Sequence, residues 1–113
     1  MAVQKLLDNV AIANNATTTR TISVNGFEWA VVELVNDQTC DLNLGGSVVD
    51  NPGRTPTLTN EANLSYTRTG LTATTNGRAY LTPLRQCLST LTIQVTNKSG
   101  GGDAHVSLWL ALH

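Results

Sequence analysis

Apolar and polar residues alternate along most of the chain, the pattern of half-buried β-strands. It is clearest in Ala104–His113, where one parity is entirely apolar: Val106, Leu108, Leu110 and Leu112. Leu91, Ile93 and Val95 alternate with polar residues in the same way. Thr, Val and Ile are abundant, and branching at Cβ disfavours helices. The pattern therefore predicts strands almost throughout, with these apolar residues facing the core.

Further strands are predicted by shorter runs of the same kind, separated by turn residues. They lie at Thr19–Val24, Phe27–Asn36, Cys40–Leu44, around Leu64 and Tyr66, and at Arg78–Leu84. About seven or eight short strands with turn signals between them are typical of two packed antiparallel sheets. The predicted fold class is all-β: a single-domain antiparallel β-sandwich or jelly roll.

Two glycine-containing segments predict hairpins. Asn25-Gly26 lies between two strands and favours a type I′ turn, which requires positive φ at both central residues. The segment 97–103 contains three consecutive glycines and predicts a second hairpin before the last strand. In the strand after Asn25-Gly26, Trp29 shares a parity with Phe27 and Val31, and we expect it in the core.

Two segments do not read as strands. Residues 1–16 resemble a tail, and the stretch 47–62 contains Pro52, Gly53 and Pro56 with only scattered apolar residues. The predicted organisation is an N-terminal arm (1–16) and a β-sandwich domain (17–113) with a long loop at 47–62. Either segment could be a frayed terminus or a surface loop, or an arm ordered by a neighbouring subunit. The interface candidates within them are Val3, Leu6, Leu7, Val48, Val49, Pro52, Pro56 and Leu58.

Composition restricts the possible partners. A chain of 113 residues is expected to form one domain. Its net charge is −1 and 13% of its residues are charged, which argues against nucleic acid because phosphates require a basic patch. Threonine (17), asparagine (11) and serine (6) replace the missing charges. Such a thin charge layer suits a subunit packed against other proteins.

The sequence also carries expectations about location. The first ten residues lack the apolar core of an export signal, which predicts synthesis in a cytoplasm. No stretch approaches the ~20 apolar residues of a transmembrane helix, so no membrane partner is expected.

Candidate catalytic groups are few, and we expect no enzyme and no cofactor. His105 and Ser107, after Asp103, could imitate a catalytic triad, but residues two apart on a strand point in parallel. Four acidic residues form the one cluster that could hold calcium, and their spacing fits no calcium loop: Glu33, Asp37, Asp41 and Asp50.

Two further residue types have alternative interpretations. Cys40 and Cys87 lie among alternating apolar residues, which favours buried free thiols, although a disulfide between facing strands stays open. Trp109 lies on the polar parity of the last strand. It is a candidate contact for a sugar or another protein, unless a loop covers it inside the monomer.

Two stretches carry a resemblance to a known family. The run Val24–Asn36 resembles the opening strand pair of small structural proteins of tailed bacteriophages, and Asp103–Leu110 is similar to their closing strand. The chain looks most like the capsid cement or decoration proteins. The resemblance implies a β-sandwich on the outer surface of the virion, a homotrimer that clamps major capsid protein subunits after synthesis in the host cytoplasm. It assigns no binding residue.

Two functions follow as hypotheses. The first is a virion structural protein, a cement or decoration subunit that binds the capsid. The alternative is a carbohydrate-binding or adhesion module of a phage tail or baseplate, with Trp109 and Tyr66 or Tyr80 as stacking platforms. A sugar site requires exposed rings beside polar groups, whereas a cement protein requires extended arms and a self-complementary patch.

Overall fold

The polypeptide folds as a nested series of antiparallel strand pairs. The computed structural model describes residues 2–48, 66–84 and 88–113. Within these residues it has eight strands: β1 (Ala2–Ile12), β2 (Thr17–Ser23), β3 (Trp29–Asn36), β4 (Cys40–Val48), β5 (Tyr66–Leu71), β6 (Thr74–Pro83), β7 (Leu88–Asn97) and β8 (Ala104–Leu112). The described part of the chain contains no helix that could cross a membrane.

Strand pairing identifies the architecture. The first strand pairs with the last, β2 with β7, β3 with β6 and β4 with β5, all antiparallel. Two further pairings, β3 with β8 and β4 with β7, join these pairs into two sheets. Sheet A has the order β1-β8-β3-β6, and sheet B has the order β2-β7-β4-β5. This is a jelly roll, and the predicted fold class is confirmed.

The core lies between the two sheets and is built from alternate residues of the strands. Its members are aliphatic and almost fully buried, because a strand directs every second side chain to the same face. Sheet A contributes Leu7, Ile12, Val32, Leu34, Val106, Leu108, Leu110 and Leu112, and sheet B contributes Cys40, Leu42, Leu44, Leu91, Ile93 and Val95. The seven residues that the alternation assigned to the core are all buried there.

Strand β1 corrects the prediction of an unpaired arm at residues 1–16. Residues 2–12 pair with β8 along their whole length. Two register shifts, between Lys5 and Leu7 and between Leu7 and Val10, interrupt the two-residue period. Asn9 has a positive φ of 51° at the second shift, a conformation that asparagine tolerates. Because of these bulges, the sequence of β1 does not alternate strictly between apolar and polar residues.

The two predicted hairpins are also corrected, because each turn passes from one sheet to the other. Asn25-Gly26 connects β2 of sheet B to β3 of sheet A. Gly26 has a φ of 85°, but Asn25 is not in the positive region, so the turn is not type I′. The segment 97–103 likewise connects β7 of sheet B to β8 of sheet A. Local turn residues identified the reversals but not the pairing partners.

A buried amide fixes the turn between β7 and β8. The Nδ2 atom of Asn97 donates to the carbonyl oxygens of Ile12 (2.8 Å) and Gly102 (2.9 Å). Its Oδ1 atom accepts a hydrogen bond of 2.9 Å from the backbone N–H of Ser99. Because Asn97 is fully buried, losing these partners would leave unpaired polar groups in the interior.

The assignment of inner and outer faces can be tested on two leucines of sheet A. Leu108 is fully buried in the core, whereas Leu81 is 60% exposed. We expect Leu108→Ala to lower the free energy of unfolding by about 2–5 kcal/mol because it leaves a cavity. Leu81→Ala should change it by about 0.5 kcal/mol or less. Equal losses in urea denaturation would contradict the assignment.

Cys40 provides a second test of the core. It is fully buried, as predicted, and it has no disulfide partner among the described residues; Cys87 lies outside them. Burial raises the pKa of the Cys40 thiol to about 11. Since the thiolate is the nucleophile, Cys40 should react slowly in the folded state.

We expect a Cys87→Ser variant to resist iodoacetamide at neutral pH until guanidinium unfolds it. Intact-mass analysis measures the adduct. Rapid alkylation of the folded variant, at the rate of a free thiol peptide, would show that Cys40 is accessible.

Candidate functional site

The large hydrophobic side chains that the described structure leaves exposed lie on one surface. They are Val3 (66% exposed), Trp29 (41%) and Leu81 (60%), on strands β1, β3 and β6. All three strands belong to sheet A, and each residue lies on the parity opposite to the core. We call this surface the outer face of sheet A. Its exposed side chains converge on one face rather than being scattered singly, which marks a candidate interaction surface.

Strand register aligns these side chains into a continuous apolar row. Val3 pairs with Ala111, Ala111 with Val31, and Val31 with Leu81. Directly paired residues of antiparallel strands lie on the same face with their Cβ atoms ~5 Å apart. The row therefore crosses all four strands of sheet A without a polar side chain.

A second row lies beside the first and contains the charges. Lys5 pairs with Trp109, Trp109 with Glu33, and Glu33 with Ala79. The Lys5 ammonium lies 4.8 Å from the centre of the Trp109 ring, a cation–π geometry, and 2.6 Å from Oδ1 of Asp8. Trp109 is thus half-buried, flanked by a cation on one strand and a carboxylate on the other.

The two rows enclose a shallow groove. It has a volume of about 200 Å³ and opens to solvent. The outward side chains that line it are aliphatic groups, the indole and one carboxylate: Val3, Val31, Ala111, Trp109 and Glu33. Such a groove can accept the stem and head group of an amphipathic side chain, or the apolar face of a small ligand.

The outer face of sheet B has a different character. Its paired positions carry hydroxyl and amide groups that hydrogen-bond to each other across the strands. Thr17 Oγ1 and Thr96 Oγ1 are 2.7 Å apart, and Asn43 Nδ2 donates to Gln94 Oε1 at 3.1 Å. Hydroxyl and amide groups are also well solvated by water, so this face requires no partner. Among the side chains that the structure describes, the exposed large hydrophobic ones therefore belong to sheet A.

The residues that could imitate a catalytic triad have other partners in the structure. His105 and Ser107 are on the same face of β8, but the partner of His105 is Asp37, with Nδ1 and Oδ2 separated by 2.9 Å. Ser107 Oγ instead accepts a hydrogen bond from the backbone N–H of Asn9 at 2.9 Å. The pair Asp37–His105 joins the end of β3 to the start of β8.

The acidic cluster considered for calcium is dispersed. Asp41 Oδ1 accepts from the Gly70 N–H at 2.9 Å, whereas Glu33 lies over Gly77. Asp50 is outside the described residues. Among the residues that are described, no group of three or more His, Cys, Asp or Glu side chains could hold a metal ion.

The interface candidates fall into three groups. Val3 is exposed and Trp109 is half-buried on the outer face of sheet A. Leu7 is 1% exposed, so its assignment to an interface is corrected to the core, against which Leu6 also packs. Val48 ends β4, whereas Val49, Pro52, Pro56 and Leu58 lie outside the described residues.

Trp29 and Leu81 were missed as surface residues. The sequence pattern groups Trp29 with Phe27 and Val31 and predicts it in the core, whereas the core face of β3 is the opposite one, with Ala30, Val32 and Leu34. Leu81 lies between two residues that face inward or half-inward, so its outward position could be predicted from the alternation. Its position beside Val31 could not be predicted, because sequence alone does not give strand register.

Asp37 supplies a prediction of pH dependence. Burial raises the pKa of this carboxyl, but hydrogen bonds from the backbone and ring of His105 lower it by more, so that the pKa lies below its ordinary value of 3.8. Ionised Asp37 therefore stabilises the folded state above the ordinary pKa, and this contribution is lost as the pH falls through the lowered pKa. The effect should be small because both side chains are about half exposed to solvent (48% and 51%).

We expect Asp37→Asn to reduce the acid-induced fall in Tm relative to the parent protein. Asp103→Asn, at an exposed position just before β8, is the matched control and should leave the fall unchanged. Thermal unfolding followed by circular dichroism measures both. Identical acid profiles for the parent and Asp37→Asn would contradict the assignment.

No family model matches the chain, and no curated protein is significantly similar to it in sequence. Solved structures are similar in fold. A crystal structure of tripeptidyl peptidase 2 has a TM-score of 0.68 at 12% identity, over 97% of this chain and 10% of that chain. The infectious bursal disease virus VP2 subviral particle gives 0.54 at 16% identity, over 99% of this chain and 33% of that chain.

TmCBM61 in complex with β-1,4-galactotriose gives a TM-score of 0.51 at 11% identity, over 99% of this chain and 83% of that chain. This chain thus spans about a tenth of the peptidase chain and a third of the VP2 chain that it matches. At these identities the likeness shows the fold alone: the chain is a jelly-roll β-sandwich.

Proposed function

We propose that this chain is a non-enzymatic structural protein of a virion, a decoration subunit that attaches to the major capsid protein. The outer face of sheet A is its docking surface. Further copies of the chain are its second partner, and it acts without a cofactor, nucleic acid or membrane. Its location in this proposal is the capsid surface.

The observation that carries the proposal is the apolar row Val3–Ala111–Val31–Leu81. Burying a valine or leucine side chain stabilises a contact by roughly 1.5–3 kcal/mol relative to leaving it exposed. Val3 and Leu81 are both more than half exposed, so most of that stabilisation is still available to a partner. An aliphatic row on a sheet face fits a protein surface better than a polar ligand.

Three other features support a structural role. The surface has little charge, with 13% charged residues in the whole chain. Val24–Asn36 and Asp103–Leu110 resemble strands of phage decoration proteins, although no family model and no curated protein matches the chain. The jelly roll is shared with part of VP2 in the infectious bursal disease virus particle, although that likeness concerns the fold. Residues 2–12 form β1 rather than a free arm, so the outer face of sheet A is the surface available for docking.

A carbohydrate-binding module is the second candidate function. The groove beside Trp109, with the Glu33 carboxylate in its lining, favours it, as does the shared fold of TmCBM61. However, the Lys5 ammonium already covers the Trp109 ring, and the remaining lining is aliphatic. Sugars require several hydrogen-bonding groups around a free ring. Calorimetric titration with β-1,4-galactotriose should therefore show no binding, and binding that Trp109→Ala abolishes would favour this alternative.

The docking role can be tested by placing a charge in the apolar row. Leu81→Asp should reduce retention on purified virus particles by about tenfold or more, because an unpaired carboxylate would be buried at the contact. The particles are those of the virus whose genome encodes the chain, and co-sedimentation measures retention. Since Leu81 is exposed, Tm should change little.

Thr19→Asp is the matched control. Thr19 is exposed on the outer face of sheet B, and its variant should co-sediment like the parent protein. Full retention of Leu81→Asp, or an equal loss for Thr19→Asp, would contradict the assignment of the docking surface to sheet A.

A further inference from the structure

The outer face of sheet A is complementary to itself as well as apolar. We infer that a second copy of this chain packs on it face to face, around a two-fold axis that runs parallel to the strands between β8 and β3. This inference rests on the proposed docking role and names a second copy as an occupant of the same surface. The two contacts exclude each other, so a chain that attaches to the capsid through this face first dissociates from its partner copy. It differs from the trimer that the sequence resemblance implies.

The apolar row can pack against a second copy of itself that runs in the opposite direction. The axis exchanges β1 with β6 and β8 with β3, which are the outer and inner strands of sheet A. Val3 of one copy then faces Leu81 of the other, and Ala111 faces Val31. The two most exposed aliphatic side chains of the face thus cover each other, while the small residues meet at the centre. Closely packed sheets lie ~10 Å apart, and small central side chains allow that spacing.

The charges also match. The axis places Glu33 of the second copy over Trp109, and the Lys5 ammonium already lies above this ring, 4.8 Å from its centre. The Glu33 side chain leans over Gly77 of β6, since a Cβ atom built on Gly77 would lie 2.9 Å from Glu33 Oε1. In the pair, β6 of the second copy faces β1, the strand of Lys5. Lys5 of each copy therefore approaches Glu33 of the other copy, so the contact forms twice, once on each side of the axis.

Asp8 and the groove are consistent with this arrangement. Asp8 holds the Lys5 ammonium at 2.6 Å, so the lysine is positioned before the second copy arrives. The groove beside Trp109 has aliphatic walls and the Glu33 carboxylate. These are the groups that a lysine side chain contacts with its stem and its head.

The size of the face indicates a weak pair. Four strands ~4.8 Å apart span ~19 Å, and six residues along a strand span ~20 Å. The contact is therefore ~400 Å² for each copy, ~800 Å² in total, which is below the range of tight complexes. The dimer should form at high concentration and dissociate on dilution.

Charge reversal tests the pairing. We expect sedimentation velocity of the full chain to give a species of twice 12.0 kDa at high concentration. Lys5→Glu and Glu33→Lys should each weaken it by about tenfold or more, because like charges then face each other. An equimolar mixture of the two variants should recover the dimer, because positions 5 and 33 again carry opposite charges at both contacts across the axis. If Lys5 and Glu33 interacted only within one chain, mixing the two variants would not restore the dimer.

Lys98→Glu, at the exposed lysine between β7 and β8, is the control and should dimerise like the parent. Circular dichroism checks that each variant is folded. A parent chain that stays monomeric, a trimer, or a mixture that does not recover would each overturn the inference. If the parent is monomeric but Leu81→Asp loses particle binding, the second copy is wrong and the capsid role stands. If the parent forms the dimer but Leu81→Asp binds particles as the parent does, the capsid role is wrong and the second copy stands.

Discussion

Strand β8 pairs on both sides, with β1 and with β3, and the rest of the structure depends on this central position. A strand directs successive side chains to opposite faces. The inward residues of β8 therefore form the centre of the core, and the outward residues become the middle of the outer face of sheet A. Leu110 and Trp109 are neighbours in sequence but lie on opposite sides of the sheet. The same pairing that buries one supports the other at the surface.

The outward faces of the two sheets differ in chemistry because their outward residues differ. Sheet B presents threonine, asparagine and glutamine side chains that satisfy one another across the strands, as Thr17 and Thr96 do. Sheet A presents aliphatic side chains in register, with Lys5 and Glu33 on either side of Trp109. In the proposed contact, hydrophobic burial on this face would supply the free energy and the two charges would orient the partner. This division favours a subunit that works by packing.

Alternation alone predicted the all-β class and the inward residues of β7 and β8, because these strands keep a strict two-residue period. It failed at β1, where two bulges break the period, and at Asn25-Gly26, where a turn typical of hairpins joins different sheets. Trp109 could be predicted at the surface from its parity, whereas the sequence predicts Val3 at an interface only as part of an unpaired arm that the structure does not form. Their neighbourhood with Val31 and Leu81 could not be predicted, because it arises from the pairing of four strands that are distant in sequence.

The central claim is that contacts with other proteins cover the outer face of sheet A. Both tryptophans of the chain, Trp29 and Trp109, lie on this face, so their fluorescence reports on it directly. The most direct measurement is quenching of tryptophan fluorescence by acrylamide, before and after the chain assembles or binds particles. The account predicts that assembly lowers the quenching constant and shifts the emission to the blue. Assembled protein that is quenched as readily as the free chain would contradict it.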